Sequence, residues 1–433
     1  MTDQSLDAPG EAGAPSLGDL TRVFGRIGLL SFGGPAAQIA LMHRELVETR
    51  AWLGERDFLS ALSFCMLLPG PEAMQLCTYA GWRLHGIAGG LIAGVLFVLP
   101  GALVILALAF LYASFGAQPL VQSAFLGVKA AVIVIVLQAL LKVAGKALTG
   151  TAAWVVAGLA FLGIYVFEIP FPVIIVVAAL YGALSATGGP APAAATSLHR
   201  STRATTLLAV ALAVLWAAPL VLAWALNAEL LLALGLFFSK LAIVTFGGAY
   251  AVLAYMTQEV VQVQGWLTTA QMIDALGLAE TTPGPLILVT EFVGTLTAIE
   301  ASGWALGLAA AAMTLWVTFV PCFLWIFVAA PYVDWLTGQP RLKGALDAIT
   351  AAVVGVIANL SLWFALHVFF GTVTAIDLGP AAPALPVPAS FDPLAALLCV
   401  LAAGLLLQLK AGLPLTLAIV AGAGLLSGIL ISA

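Results

Sequence analysis

The chain has 433 residues, of which 63% are hydrophobic and only 8% charged, with a formal net charge of −5; its mean hydropathy is +1.13. Soluble domains carry about 25% charged residues, so the composition excludes a soluble globular protein and specifies an all-α polytopic membrane protein. The carboxylates sit mostly in loops and in the N-terminal tail, so the net charge says little about partners; membrane lipid is the expected medium and no nucleic-acid partner is expected.

Residues 1–18 are polar, carry Asp3, Asp7 and Glu11, and lack a basic stretch before an apolar one, so a disordered tail is expected there, not a secretory signal. Runs apolar enough to span a hydrocarbon core of about 30 Å follow at 22–40, 58–82, 87–113, 121–141, 152–167 and 171–186, then singly at 205–226. A second set lies at 230–254, 267–298, 302–330, 342–369, 392–409 and 413–432. The segment Thr187–Ala204 is rich in Gly, Pro, Ala, Ser and Thr and is expected to separate the halves; 377–393 is a second Pro-rich loop. The expected organisation is a tail at 1–18, a transporter repeat at 19–187, a linker with one extra transmembrane helix at 188–229, and a second repeat at 230–433.

The halves repeat each other. Phe24 to Pro71, moved forward by 214 positions, falls without a gap on Phe238 to Pro285, with 16 of 48 residues identical, among them Phe32-Gly33-Gly34, Glu45, Trp52 and Pro69-Gly70-Pro71. Further on the offset becomes 221, where Pro100 meets Pro321 and Lys129-Ala-Ala-Val meets Thr350-Ala-Ala-Val. Two six-segment units around one odd helix give thirteen segments, and an odd helix between even units inverts the second. An inverted repeat that binds substrate between its halves is therefore expected. With thirteen crossings, the N-terminal side holds Arg22, Arg83, Lys142, Lys146, Arg200, Arg203, Arg341, Lys343 and Lys410, whereas the other holds Arg44, Arg50 and Arg56. That bias places the N-terminus in the cytoplasm. The three exceptions join the majority if the first two segments re-enter the membrane without crossing it; the sequence leaves both arrangements open.

Inside apolar segments stand Arg26, Lys129 and Lys240. A charge near the bilayer centre costs at least about 2.5 kcal/mol, so each needs a partner, water or a nearby interface. Arg26 and Lys240 hold equivalent positions, six residues before Phe32 and Phe246, and read either as a paired cationic site or as snorkelling side chains. Gly33-Gly34 and Gly247-Gly248 permit helix breaks, and Pro35 suits the first turn of a restarted helix. Pro69-Gly70-Pro71 and Pro283-Gly284-Pro285 must interrupt theirs. Backbone broken at membrane depth is tolerated only in protein or against a cavity, and restarted helices offer free N–H groups to an anion. The expected anion-binding residues are therefore Arg26, Ser31, Phe32, Gly33, Gly34, Pro35, Pro69, Gly70, Pro71, Gln75, Lys240, Thr245, Phe246, Gly247, Gly248, Pro283, Gly284 and Pro285. Glu72, Glu280 and Glu291 are candidates for proton coupling or for balancing the cations. Cys65, Cys77, Cys322 and Cys399 are scattered in apolar surroundings and the four histidines do not cluster, so neither metal nor cofactor is expected.

Several of these features resemble the chromate ion transporter family: Phe24, Ser31-Phe32-Gly33-Gly34-Pro35, Glu45, Trp52, Leu67-Leu68-Pro69-Gly70-Pro71-Glu72-Ala73-Met74-Gln75-Leu76, Tyr79 and Gly81-Trp82. The second half adds Thr245-Phe246-Gly247-Gly248, Trp266 and Thr282-Pro283-Gly284-Pro285. The resemblance covers about residues 20–370 and departs at Ala249, which stands where the first copy has Pro35. It implies the family's long two-domain form, a chromate exporter of the bacterial inner membrane that confers chromate resistance and is not an enzyme. A carrier of sulfate or another tetrahedral oxyanion, and an intramembrane oxyanion reductase, are the alternatives. Homo-oligomerisation stays open.

Overall fold

A computed structural model describes residues 15–186, 202–246, 248–333, 336, 338–376, 379 and 382–432. The expected tail up to residue 14, the linker from 187 to 201 and Gly247 lie outside them. The first unit contains α1 (Leu17–Leu29), α2 (Gly34–His43), α3 (Glu55–Cys65), α4 (Glu72–Phe115), α5 (Pro119–Ala147), α6 (Thr151–Tyr165) and α7 (Phe171–Ser185). After α8 (Thr202–Ala225) come α9 (Glu229–Val244), α10 (Ala249–Thr257), α11 (Thr269–Thr281), α12 (Val289–Ser302), α13 (Trp304–Ala329) and α14 (Pro340–Phe369). A short hairpin of β1 (Val373–Ala375) and β2 (Ala384–Pro386) precedes α15 (Pro393–Ala403) and α16 (Leu413–Ser432). Six of the described helices are long and apolar enough to cross a membrane: α4, α5, α8, α13, α14 and α16.

The runs read as single spans at 22–40 and 58–82 are pairs of half-helices, and so are their repeats. At a rise of about 1.5 Å per residue, in-line halves would hold Arg26 and Glu45 roughly 28 Å apart; their side chains meet at 3.8 Å. The rings of Phe64 and Tyr79 are 5.9 Å apart, Lys240 Nζ lies 5.4 Å from the Tyr255 ring, and Gln271 donates to Glu300 across 2.6 Å. All four pairs therefore fold back on themselves at the Gly-Gly and Pro-Gly-Pro breaks. This removes the thirteen-crossing count and selects the re-entrant arrangement. Arg44, Arg50 and Arg56 thereby come to the end of the molecule that holds Arg22 and Arg83.

The long arm of α4 fixes the ends. Its short first arm bends back at His85 and Gly86, where the His85 ring meets the Pro15 carbonyl at the start of α1. At the far end, Phe110 stacks on Trp304 at 5.0 Å, in the turn between α12 and α13. The open ends of the first pair of hairpins thus lie at one end of this arm and those of the second pair at the other. Two α4 glycines admit α13 closely: the Cβ that Gly90 lacks would fall 2.5 Å from Phe327, and that of Gly94 2.6 Å from Phe323. The last hairpin of each unit packs across the boundary, α6 and α7 on α14, α15 and α16 on α5.

Candidate functional site

The four breaks meet in two reciprocal pairs at the centre. The Gly70 amide donates to the Thr245 carbonyl at 2.9 Å, and the Gly284 amide donates to the Ser31 carbonyl, also at 2.9 Å. Gly284 is the repeat of Gly70 and Thr245 that of Ser31, so each Pro-Gly-Pro turn is stitched to the other unit's Phe-Gly-Gly turn. Two-fold related units make such a pair of bonds. The turns need glycine, because Gly33, Gly34, Gly70, Gly248 and Gly284 have φ of 87°, 77°, 121°, 101° and 88°, a region costly for side-chain-bearing residues. Ser31 and Thr245 turn their hydroxyls onto the carbonyls of Ile27 and Leu241 in their own helices. Gln75 donates to the Pro69 carbonyl at 2.7 Å and braces that turn.

Helices restart where the motif requires. α2 begins at Gly34 with Pro35 in its first turn, and α4 begins directly after Pro71. α10 begins at Ala249 behind Gly248, so the missing proline does not prevent a restart. After Pro285 a single tight turn, Leu286–Leu288, precedes α12. Against these restarts lies a cavity of about 1080 Å³, lined by Gly33, Gly34, Pro35, Gly70, Glu72, Gly248, Tyr250 and Glu280. Its wall runs along α5 to Lys142 and Lys146, with Asp347 of α14 across from them. The floor therefore offers first-turn N–H groups of three helices and the mouth two ammonium groups. Tyr250 donates to Glu280 at 2.9 Å, which occupies one carboxylate oxygen. Among the described residues no group of His, Cys, Asp or Glu is arranged to hold a metal ion.

Other expected site residues stand elsewhere. Arg26 and Lys240 do not line the cavity: the Arg26 side chain is 60% exposed and reaches Glu45, which also pairs with Arg50, and Lys240 lies over Tyr255. A position six residues before the break places each cation roughly 9 Å back along its half-helix, beside the partner arm. Phe32 is 41% exposed and Phe246 half-buried. The Pro283 carbonyl packs against Gly101 of α4, with Pro285 just beyond, so the second Pro-Gly-Pro is covered by the long arm where the first faces the cavity. Glu291 is buried in α12 at 1% exposure, away from the cavity. Lys129, the third intramembrane cation, pairs with the fully buried Asp274 of α11 at 3.2 Å, and Tyr112 of α4 donates to the same carboxylate at 2.8 Å.

Sequence reasoning assigned no site role to Gln38, Lys142, Lys146 or Tyr250. Gln38, 1% exposed, donates to both the Gly284 and Ser31 carbonyls, at 2.7 and 3.3 Å. The i, i+4 spacing of Lys142 and Lys146 on a helix was the available signal for a shared cationic face.

The chromate transporter family model matches residues 18–183 and 232–427, which are the two units around α8. The chain belongs to the chromate transporter family. It is a transporter and not an enzyme, as the resemblance of its motifs implied. A chromate transport protein of Pseudomonas aeruginosa is 35% identical over 375 residues, 83% of this chain and 84% of the relative. A chromate transport protein of Cupriavidus metallidurans is 31% identical over 362 residues, 83% of this chain and 86% of the relative. An uncharacterized transporter of Bacillus subtilis matches 159 residues at 31% identity, 36% of this chain but 89% of itself, so a relative about one unit long exists. No solved structure matches the chain.

Proposed function

We propose that the protein exports chromate from the cytoplasm across the bacterial inner membrane and so confers chromate resistance. The observation that carries the reading is the cavity whose floor is made by the stitched breaks and whose mouth bears Lys142 and Lys146, in a chain whose relatives are named for chromate transport. Desolvation scales with charge squared and is of order 20 kcal/mol for a monovalent ion in the Born limit. A tetrahedral dianion therefore requires several oriented donors, which the restarted helices supply. Arg26 and Lys240, unpaired with each other, serve in this reading to hold their hairpins closed.

Direction follows from charge. The mouth lies at the basic end, with Lys142, Lys146 and the start of α14 carrying Arg341 and Lys343, and basic loops mark the cytoplasmic face. The N-terminus is then cytoplasmic and the two units lie inverted in the membrane. A dianion leaving a negative interior gains about 4.6 kcal/mol per 100 mV, twice the single-charge value. Glu72 and Glu280 line the floor and in this reading carry protons, so a pH gradient modulates the flux.

Radiolabelled chromate uptake into everted vesicles tests the reading. Uptake driven by an interior-positive potential, competed weakly by sulfate, is expected. Sulfate or molybdate moving faster than chromate would make the protein a carrier of that oxyanion, and flux no greater than in vesicles lacking the protein would end the proposal.

A further inference from the structure

The cavity has a small counterpart at the opposite end of the molecule. Beneath the β1–β2 hairpin lies a pocket of about 80 Å³, with Tyr255, Gln258, Asn359 and Trp363 in its wall. At about 30 Å³ per water it holds a few waters and no hydrated oxyanion. Part of its wall is the repeat equivalent of the cavity wall. α5 begins at Pro119 and α14 at Pro340, 221 positions later. At that offset Val356, Asn359, Leu360 and Trp363 of the pocket fall on Ile135, Gln138, Ala139 and Lys142 of the cavity. α7 begins with Phe171-Pro172 and α16 with Leu413-Pro414, 242 positions later. At that offset Ile164 and Phe171 of the pocket fall on Leu406 and Leu413 of the cavity.

We propose that this pocket is the closed exit vestibule of the anion path, opened when the second unit takes the arrangement that the first has here. The proposal rests on the carrier reading above, and alternating access by motion of one repeat against the other is its general basis. The closure is visible. Phe171 stacks on Tyr255 at 5.4 Å, the Tyr165 hydroxyl donates to the Ala384 carbonyl at 2.6 Å, and the Ala382 amide donates to the Val166 carbonyl at 2.9 Å. The β1–β2 hairpin belongs to the second unit alone, because in the first unit only residues 148–150 join α5 to α6. It acts as a lid.

The two vestibules differ in charge. Trp363 replaces Lys142, and His367, whose ring packs tilted against Trp363 at 4.5 Å, replaces Lys146. The exit offers amides, aromatic edges and the Glu168 carboxylate in place of two ammonium groups, so it holds a dianion weakly and releases it. This asymmetry sets the half-saturation at each face; the final gradient remains that of the driving potential.

Two variants of the full chain test the vestibule. In a background lacking Cys65, Cys77, Cys322 and Cys399, Gln138→Cys is expected to react with an impermeant maleimide from the cytoplasmic face. Asn359→Cys is expected to react only from the opposite face, at a rate that changes when chromate is added. Val166→Cys with Ala382→Cys, hydrogen-bonded neighbours, joins the lid to the α6–α7 turn on oxidation. The oxidised protein should bind chromate from the cytoplasmic face as the reduced protein does but lose transport, and reductant should restore it. Unimpaired transport by the oxidised protein, or an Asn359→Cys that never reacts from the far face, overturns the vestibule. Absence of chromate binding in the reduced protein would overturn the carrier reading itself, and the vestibule with it.

Discussion

Replacing Lys129 by Met keeps most of the stem volume and removes the ammonium that faces Asp274. The two groups are 3.2 Å apart, Asp274 is 0% exposed and Lys129 13% exposed, so neither water nor lipid headgroups can take over the missing charge. Breaking such a buried pair from one side costs about 3–5 kcal/mol. Tyr112, 2.8 Å from the second oxygen, remains as a donor, and Tyr112→Phe alone should lose about 1.5–3 kcal/mol. Lys129→Met with Asp274→Leu removes both charges and should recover most of the loss, since an apolar replacement of a buried pair is often neutral or better. Denaturant unfolding of the purified protein in mild detergent, run as a double-mutant cycle, gives the coupling. At about 1.4 kcal/mol per decade the single lysine variant should shift the unfolding equilibrium by two to three orders of magnitude. A Lys129→Met protein within about 0.5 kcal/mol of wild type, or a double variant no better than the single one, would refute the compensation of Asp274 by Lys129.

Lys142→Gln and Lys146→Gln should each raise the half-saturation for chromate at the cytoplasmic face by about tenfold, since a dianion roughly 6 Å from one ammonium in water gains about 1.4 kcal/mol. In 1 M salt, where the Debye length falls to about 3 Å, the difference from wild type should nearly vanish; vesicle flux at two ionic strengths measures both. Arg26→Gln should leave chromate affinity unchanged and lower the yield of folded protein, because Arg26 serves Glu45 and not the cavity; a large affinity loss in well-folded protein would return Arg26 to the anion site. Gly101→Ala would put a Cβ 2.1 Å from the Pro283 carbonyl and should destabilise by about 1–3 kcal/mol or more, whereas Gly145→Ala, with nothing within 4 Å, should be neutral or stabilising by up to about 1 kcal/mol. Unfolding curves of the pair compare a filled position with an empty one on the same scale.

What was legible in the sequence was what the backbone demands. Proline and adjacent glycines constrain φ wherever they stand, so the breaks at Gly33-Gly34, Pro69–Pro71, Gly248 and Pro283–Pro285 were readable, and the offset of 214 told that they form two sets. Their pairing was not readable: that Gly70 bonds to Thr245 and Gly284 to Ser31 depends on how α4 and α13 dock. The same gap explains Arg26. Its duplication as Lys240 was correctly seen as an equivalence of position, but a cation near a break can face the cavity or the partner arm, and the side chain takes the face that holds Glu45. Asp274 has apolar neighbours on both sides in α11, and its role was not readable because its partner, Lys129, is 145 positions earlier. Hairpin and crossing readings of 22–40 also differ only in the sign of one turn, which periodicity does not encode.

The duplicated and unduplicated residues divide the work between them. Phe-Gly-Gly and Pro-Gly-Pro occur in both units, because each unit must stitch to the other and a fault in either turn would open the floor. The vestibule residues need not match if, as proposed, only one vestibule faces anion at a time. An identical pair of vestibules would hold a dianion equally at both faces, and release would then depend on the potential alone. On that proposal, exchange of two lysines for Trp363 and His367 weakens binding at one face without touching the floor that both arrangements would share. In the proposed export cycle the positions that break the repeat, more than those that keep it, make one face the place of capture and the other the place of release. Placing lysine at 363 tests this division: Trp363→Lys should tighten chromate binding at the exit face and slow release, leaving the half-saturation at the Lys142 face unaltered. Slower net export with unchanged cytoplasmic affinity is the expected result, and a shift in cytoplasmic affinity alone would contradict it.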